Sequence, residues 1–205
     1  MLLLNVRSAM NRRLCNTMII KRSFDFLLAI FATIILLLPI GVVALFVRLT
    51  SHGPILYWSD RVGQHNKIFR MPKFRTMRAD TPVVATHLLS DPQQFLTPIG
   101  SFLRRSSLDE LPQLWSILKG NMSFVGPRPA LFNQEDLVSL RAHYGVDKIK
   151  PGLTGWAQIN GRDELPIPEK VQLDVQYMEL QSFWFDLKII FLTFQKVLKK
   201  DGITH

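Results

Sequence analysis

The uncharged stretch FLLAIFATIILLLPIGVVALFV, residues 26–47, decides how this chain folds. As a straight helix it would extend about 33 Å, at about 1.5 Å per residue, which matches the hydrocarbon core of a bilayer. The stretch is too long for the apolar region of a signal peptide, and no small-residue cleavage site follows it. The sequence therefore predicts a membrane segment to which a folded domain is attached.

The flanks and the interior of this stretch indicate its path. Basic residues lie on both sides of it, at Arg7, Arg12, Arg13, Lys21, Arg22 and Arg48. The positive-inside rule places basic flanks on the cytoplasmic side, so both ends favour the same side. Pro39 removes a hydrogen-bond donor, displaces the carbonyl of Ile35 and kinks the helix. A re-entrant helix broken at Pro39 is therefore favoured over a spanning helix, and the following domain is expected to be cytoplasmic.

Composition excludes several classes of protein. The chain has 205 residues, a net charge of +9 and 47% hydrophobic residues, which fits a folded protein with membrane contact and not a disordered chain. Its single cysteine, Cys15, excludes an intrachain disulfide and a cysteine-rich metal site, and it fits a reducing compartment. No two histidines have metal-ligand spacing, so a zinc enzyme is not expected.

A basic run lies at residues 61–78, which contain six lysines and arginines and no acid. Such a run fits an anionic lipid surface, a nucleic acid, a phosphorylated small ligand or a solvated face. Phe69 and Phe74 alternate within it as in a sheet core, rather than as an exposed aromatic surface for bases. Nucleic acid is therefore not an expected partner.

The domain after the membrane segment is predicted to be α+β and mostly helical. Residues 53–77 indicate a β-hairpin around a Gly-Gln-His-Asn turn, because KIFRM alternates at period two. A helix is predicted over 107–121, with Trp115 on its apolar stripe and Gly120 as its stop. Residues 79–98 are expected to form a loop with one short helix, and 123–129 a loop.

Three further helices and one strand complete the prediction. WAQIN, residues 156–160, is interpreted as a short strand, and helices are predicted over 133–145 and 168–180. The last helix, 182–202, is either a core helix or an amphipathic helix in the membrane interface, since its aromatic and lysine content suits both. The chain thus divides into a basic extension (1–20), the membrane segment (21–50) and the main domain (51–205).

Two adjacent carboxylates, Asp109 and Glu110, stand at the start of the helix predicted over 107–121. One interpretation is structural: Ser107 and Glu110 match a capping box, and Asp109 favours the helix dipole. Pro112 complicates this interpretation. If Ser107 is the cap, the proline falls at the fifth helical position and deletes a backbone hydrogen bond.

The other interpretation of the two carboxylates is chemical. Adjacent carboxylates can bind Mg²⁺, and a carboxylate can attack phosphorus to form an acyl phosphate. Arginine forks are suited to a diphosphate. Basic residues that flank the acids in sequence or are expected to join them in the fold are Lys73, Arg75, Arg104, Arg105 and Arg128. A carboxylate pair with Mg²⁺ and an arginine cluster is typical of phosphoryl transfer.

The chain resembles the bacterial sugar transferase family, the small monotopic phosphoglycosyl transferases. The matching stretches cover most of residues 21–198 and are KRSFDFLLA, DRVG, KFRTM, GSFLRRSSLDELPQLWSILKGNMSFVGPRP, PGLTGWAQINGR and DLKIIFLTFQKVL. The succession of SLDELPQL, GPRP and PGLTGWAQINGR is very specific. The resemblance identifies residues 51–205 as the catalytic domain.

The resemblance implies transfer of a phosphosugar from a UDP-sugar to polyprenyl (undecaprenyl) phosphate, at the cytoplasmic face of the bacterial inner membrane. The products would be a polyprenyl-diphosphate-sugar and UMP, in the first membrane step of a surface glycan pathway. Asp109 would be the nucleophile and form a covalent phosphosugar intermediate, while Glu110 would help bind Mg²⁺ or activate the acceptor. Candidate substrate-binding residues carried over from the family are Arg128, Arg104, Lys73, Arg75 and Arg162.

The sequence departs from the family pattern at three positions. The family breaks its re-entrant helix at a Ser-Pro pair, but Leu38 precedes Pro39 here and has no hydroxyl for a freed carbonyl. Ser59 stands where glutamine is common, and Asn66 stands where glycine is common in the hairpin turn. None of these departures touches Asp109 or Glu110.

Several alternatives stay open at this point. A non-catalytic membrane adaptor with a basic lipid- or partner-binding domain would also explain the anchor and the charge. A direct single displacement competes with the covalent route. The sequence does not identify the sugar or the glycan pathway, and it leaves open whether the chain forms homo-oligomers.

Overall fold

The fold was examined in a computed structural model, which describes residues 2–78, 81, 91–161 and 165–199. The long helix α1 runs from Leu2 to Thr50. Its Ile19–Thr50 part is apolar and long enough to cross a membrane by length and composition. The helix continues through Pro39, so no gap between two helices is seen there. The re-entrant path stays a prediction.

Both sides of Pro39 pack against the main domain. Before the proline, Ala29 is fully buried in a core cluster with Met71 and Ile117. After the proline, Val47 is buried in a second cluster with Phe74 and other apolar residues. The opposite face of the helix is apolar and exposed, at Leu27, Phe31, Ile34, Ile35, Leu37, Leu38, Leu45, Phe46 and Leu49. The membrane segment therefore lies against the domain with one stripe and presents the rest of its surface outward.

Polar contacts fasten the start of the apolar run to the domain. The Lys21 ammonium donates to the Val125 carbonyl (3.1 Å) and pairs with the Asp186 carboxylate. The buried carboxylate of Asp25 accepts the backbone N–H of Phe124 at 3.2 Å.

The end of the apolar run is fastened to the same domain. The Arg75 guanidinium donates to the carbonyl and the hydroxyl of Ser51, at 2.9 and 2.7 Å. Both ends of the run therefore contact one folded body.

The predicted hairpin is confirmed. Strand β1 (Leu56–Val62) pairs with strand β2 (Ile68–Phe74) in antiparallel register, with Leu56 opposite Phe74. The turn contains a short 3₁₀ helix, Gln64–Asn66, in which Asn66 has φ of +56°. Asparagine tolerates this left-handed conformation, so its departure from the family glycine is accommodated.

The domain contains six further α-helices among the described residues. They are α2 (Gly100–Ser106), α3 (Leu114–Lys119), α4 (Glu135–His143), α5 (Trp156–Asn160), α6 (Ile167–Leu180) and α7 (Phe183–Lys199). The helices predicted over 133–145, 168–180 and 182–202 are thus confirmed in their described parts. Gly120 and Gly145 follow α3 and α4 with positive φ, as helix stops.

The predicted helix over 107–121 is wrong in its first half. A 3₁₀ helix, Leu108–Gln113, precedes α3, because in an α-helix the ring of Pro112 would clash with the carbonyl of Leu108. Ser107 adopts φ of +56° and its side chain makes no capping hydrogen bond, so the capping-box interpretation is wrong as well. Trp115 is 51% exposed rather than buried on the apolar stripe.

Two short strands occupy places that were predicted differently. Strand β3 (Ser123–Val125) begins the segment predicted as a loop, and it pairs in parallel with strand β4 (Gly152–Thr154). WAQIN is helix α5, not a strand. Gly152 explains the pairing, because a Cβ there would lie 2.1 Å from the Gly126 nitrogen and would prevent the close approach of the two backbones.

The described ends of the loop predicted over 79–98 contain one short 3₁₀ helix, Pro92–Phe95, which the Asp91 side chain caps. Residues 79–80 and 82–90 lie outside the described residues.

Helix α7, the last helix, has one buried face and one exposed apolar face. Ile189 is fully buried in a core cluster with Val125 and Tyr177. On its outer face, Trp184 is 77% exposed and Phe194 is 61% exposed. The inner face is therefore part of the core, while placement of the outer face in the membrane interface stays a prediction.

Candidate active site

The two acids lie in the 3₁₀ helix Leu108–Gln113, which packs against strand β2. Asp109 is buried, with 7% of its surface exposed. The Glu110 side chain is 18% exposed. Because a 3₁₀ helix has about three residues per turn, two consecutive side chains point about 120° apart. The two carboxylates therefore point in different directions, and their adjacency in the sequence does not by itself place them on one face of the helix.

Glu110 is the centre of an ion-pair cluster. The Lys73 ammonium lies 2.8 Å from the Oε1 of Glu110, and the Nη2 of Arg128 donates to the same oxygen at 3.1 Å. Burial alone would raise the pKa of Glu110, but the two cations outweigh it and hold the pKa well below its usual range. Glu110 is therefore ionised at every physiological pH.

Asp109 has a different electrostatic environment. The pKa of Asp109 is raised from the ordinary value of 3.8 to about 6: burial is the largest cause and the Glu110 charge also raises the pKa, while Lys73, Arg104 and Arg128 lower it. No hydrogen bond to its carboxylate is found within the described part of the chain. Asp109 is consequently a poorly solvated carboxylate that is ionised near neutral pH, a state suited to nucleophilic attack.

Arg104 completes the cationic side of the site. Its Nε donates to the Thr76 hydroxyl at 3.1 Å, and its charge acts on Asp109. Burial lowers the pKa of the Arg104 guanidinium, and the Asp109 carboxylate partly opposes this effect. Three predicted site residues from separate elements, Lys73, Arg104 and Arg128, thus converge on the two acids.

The other two predicted substrate-binding residues are not brought to this cluster. Arg75 is buried, and its guanidinium binds Ser51 at the end of α1. Arg162 lies outside the described residues. Their roles in substrate binding stay predictions.

One buried ion pair beside the site was missed in the sequence. Arg141 of α4 pairs with Asp174 of α6, and both residues are buried. The available signal was the position of Asp174, which lies three residues from both Val171 and Tyr177 on the buried face of α6. An acid on a buried helix face requires a partner.

The donor set is compatible with Mg²⁺. Among the residues that the structure describes, no cluster of three or more histidine, cysteine or acidic side chains occurs. Magnesium does not require one, because it commonly binds one or two carboxylates and completes its coordination with substrate phosphates and water. Asp109 and Glu110 carry hard oxygen donors of the kind that Mg²⁺ prefers, and binding of one ion by the pair stays a prediction.

Comparison with known proteins places the chain among sugar transferases. A family model described as "Bacterial sugar transferase" matches residues 16–200. An uncharacterized sugar transferase of Bacillus subtilis (strain 168) is 44% identical over 193 residues, which cover 91% of each chain.

Two longer relatives carry more specific names. A UDP-glucose:undecaprenyl-phosphate glucose-1-phosphate transferase of Escherichia coli (strain K12) is 44% identical over 85% of this chain and 39% of its own length. An undecaprenyl-phosphate galactose phosphotransferase of Salmonella typhimurium is 33% identical over 98% of this chain and 44% of its own length. The chain thus spans about two-fifths of each of these relatives.

Proposed function

The chain belongs to the bacterial sugar transferase family, and we propose that it transfers a phosphosugar from a UDP-sugar to polyprenyl phosphate, with release of UMP. The observation that carries this proposal is the buried Asp109 next to Glu110, with Lys73, Arg104 and Arg128 around them. The names of the relatives, which act on undecaprenyl phosphate, support the acceptor. A membrane adaptor leaves this convergence of charges unexplained.

The first step is attack by an Asp109 carboxylate oxygen on the sugar-linked phosphorus of the UDP-sugar. The new bond joins aspartate oxygen to phosphorus, and the bond from that phosphorus to the bridging diphosphate oxygen breaks. UMP leaves with the bonding electron pair, and the phosphosugar stays on Asp109 as an acyl phosphate. Arg104 and Arg128, whose charges act on Asp109, would bind the phosphate oxygens on which negative charge develops.

The second step regenerates the carboxylate. An oxygen of the polyprenyl phosphate attacks the same phosphorus, the acyl phosphate bond breaks, and Asp109 leaves as a carboxylate. Burial favours the first step, because the charged aspartate is poorly solvated before attack. Lys73 holds Glu110 in place throughout, at 2.8 Å.

Asp109 and Glu110 would hold Mg²⁺, and the bound ion would supply charge neutralisation for the diphosphate. Arg128, Arg104 and Lys73 are proposed to bind the donor phosphates. Arg75 and Arg162 stay weaker candidates, the first because it contacts the end of the membrane helix instead of the acids.

We further propose that the membrane segment is re-entrant and that the protein acts at the cytoplasmic face of the bacterial inner membrane. Lys21 and Asp25, at the start of the apolar run, contact the same domain as Ser51 at its end. A straight helix across a bilayer would carry one end about 30 Å away from that domain. The exposed aromatic face of α7 is proposed to lie in the interface of the same leaflet.

This topology predicts that residues before and after the apolar run are labelled from the same side. An impermeant thiol reagent should modify Cys15 in inverted vesicles and not in intact spheroplasts. A Cys15→Ser chain carrying Ser139→Cys, on an exposed position of α4, should show the same pattern. Labelling of the two cysteines from opposite sides would establish a spanning helix.

The proposed activity is tested by incubating the purified protein with polyprenyl phosphate, Mg²⁺ and a panel of UDP-sugars. We expect UMP release with at least one sugar, dependent on the lipid for continued turnover. The panel also identifies the sugar. A folded, membrane-inserted protein that releases no UMP with any UDP-hexose or N-acetylated UDP-sugar would count against the assignment.

A further inference from the structure

The turn that carries Arg128 has little conformational freedom of its own. Pro127 and Pro129 flank the arginine, and each ring fixes φ near −65°. A residue before a proline is restricted to extended conformations, which applies to Arg128. The prolines do not fix the orientation of the peptide groups on either side of Arg128. That orientation determines where the Arg128 guanidinium points.

Backbone hydrogen bonds fix the two ends of this turn. The N–H of Gly152, in β4, donates to the carbonyl of Pro127 at 2.9 Å. The N–H of Val62, in β1, donates to the carbonyl of Ala130 at 2.9 Å. Neither of these N–H groups donates to the carbonyls of Arg128 and Pro129, which lie between.

Arginine side chains satisfy those two carbonyls. The Nη1 of Arg141 donates to the carbonyl of Arg128 at 2.8 Å, and the Nη1 of Arg61 donates to the carbonyl of Pro129 at 3.2 Å. We call these two arginines the carbonyl clamp. Four consecutive carbonyls, from residue 127 to 130, thus have identified donors, two from backbone and two from the carbonyl clamp.

Each arginine of the carbonyl clamp is itself held. The Nε and Nη2 of Arg141 donate to one carboxylate oxygen of Asp174, at 2.9 and 2.7 Å, and Asp174 is 1% exposed. The Nε of Arg61 donates to the hydroxyl of Ser59 at 3.0 Å, and Ser59 is also buried. The two donors come from different elements, α4 and β1, so they constrain the turn independently.

We propose that Arg61 and Arg141 are positioning residues that hold the Arg128 turn so that its guanidinium reaches Glu110. The inference rests on the proposed function, because it concerns the reaction in which Arg128 takes part. Arg128 is 38% exposed, so burial fixes its side chain only in part, and the position of the backbone below it contributes to its contact with Glu110. A displacement of about 1 Å at such a position can lower turnover by about 10²-fold.

The test compares lysine substitutions of the carbonyl clamp with a control of similar burial. Arg141→Lys keeps a cation for Asp174, but an ammonium cannot reproduce the planar fork that bonds Asp174 and the Arg128 carbonyl together. We expect kcat for UMP release to fall about tenfold or more in Arg141→Lys and in Arg61→Lys. Leu137→Ala, which is a buried site on the same helix α4, serves as the control for general destabilisation.

The decisive measurement repeats each substitution in an Arg128→Ala protein. If the carbonyl clamp acts through Arg128, Arg141→Lys and Arg61→Lys should lower the residual activity less than about twofold further. Leu137→Ala should reduce activity by the same factor in both backgrounds, because its effect does not pass through Arg128. If Arg141→Lys does not fold, the same comparison made with Arg61→Lys alone tests the carbonyl clamp.

Two results would overturn the carbonyl clamp alone. The first is full kcat in folded lysine variants, and the second is an equal fold-loss in the presence and absence of the Arg128 side chain. Wild-type turnover in Arg128→Ala would overturn the carbonyl clamp together with the role of Arg128. Failure of the unmodified protein to release UMP with any UDP-sugar would instead count against the proposed function.

Discussion

Replacing Asp109 by asparagine is expected to abolish UMP release, with a loss of at least about 10⁴-fold. Asparagine has nearly the same size but cannot form an acyl phosphate, so the covalent route has no substitute nucleophile. The measurement is UMP release from the UDP-sugar that the unmodified protein uses. Asp60→Asn, at an exposed carboxylate on β1, is the matched control and should retain activity.

The covalent route makes a second prediction for the same variant. Unmodified protein incubated with UDP-sugar and no lipid should retain one phosphosugar on the peptide that contains Asp109, detected by mass spectrometry of the acid-quenched protein. Asp109→Asn should retain none. Turnover in the asparagine variant, or an unmodified protein that without lipid carries no adduct and releases no UMP, would favour direct displacement.

Loss of activity in Asp109→Asn should be accompanied by a gain in stability. The pKa of Asp109 is about 6 in the folded protein and near 3.8 in the unfolded chain, so the folded state disfavours the charged form. This cost is absent below pH 3.8, increases as the pH rises through 6, and reaches at most about 3 kcal/mol above it. In EDTA, the variant should therefore unfold at a higher temperature than the unmodified protein at pH 8, and the difference should shrink toward pH 4.

That comparison also separates catalysis from folding. A variant that is inactive and more stable cannot owe its inactivity to unfolding. A variant that is less stable at pH 8 would show that Asp109 contributes favourable contacts that outweigh its burial, contrary to the site described here.

The composition of the site could be predicted because most of its residues are close in sequence. Asp109, Glu110, Arg104 and Arg128 lie within one stretch of the chain, and Lys73, in the basic run at residues 61–78, was a candidate to join them in the fold. The sequence could not show that Lys73 and Arg128 share a single oxygen of Glu110, because that depends on how β2 packs against the 3₁₀ helix. The resemblance implied different roles for the two acids, but the sequence could not show their unequal burial and pairing.

Contacts between distant segments explain the remaining differences. Arg75 is two residues from Lys73, yet its guanidinium binds Ser51, because the end of the membrane helix packs beside it. Strand β3 could not be predicted from its Pro-Gly segment, since its partner β4 lies about 30 residues later. The two backbones approach closely because Gly152 of β4 and Gly126, just after β3, carry no side chains. Local patterns predicted the long helices and the hairpin well, because their periodicity persists over many residues.

Glu110→Gln is expected to lower kcat by about 10²- to 10³-fold and to weaken the dependence on Mg²⁺. Glutamine fits the same space, but it lacks the charge that attracts Lys73 and Arg128 and is a poor ligand for the ion. The measurement is UMP release as a function of Mg²⁺ concentration. Glu135→Gln, at an exposed position on α4, should behave like the unmodified protein.

The pH dependence of the same variant tests the coupling between the two acids. Because the Glu110 charge raises the pKa of Asp109, its removal should lower that pKa, and the acid limb of kcat against pH should move to lower pH. If Glu110 only held Lys73 and Arg128 in place, the loss of kcat would remain but the Mg²⁺ dependence would not change. An unmoved acid limb with full kcat would show that Glu110 takes no part in setting the reactivity of Asp109.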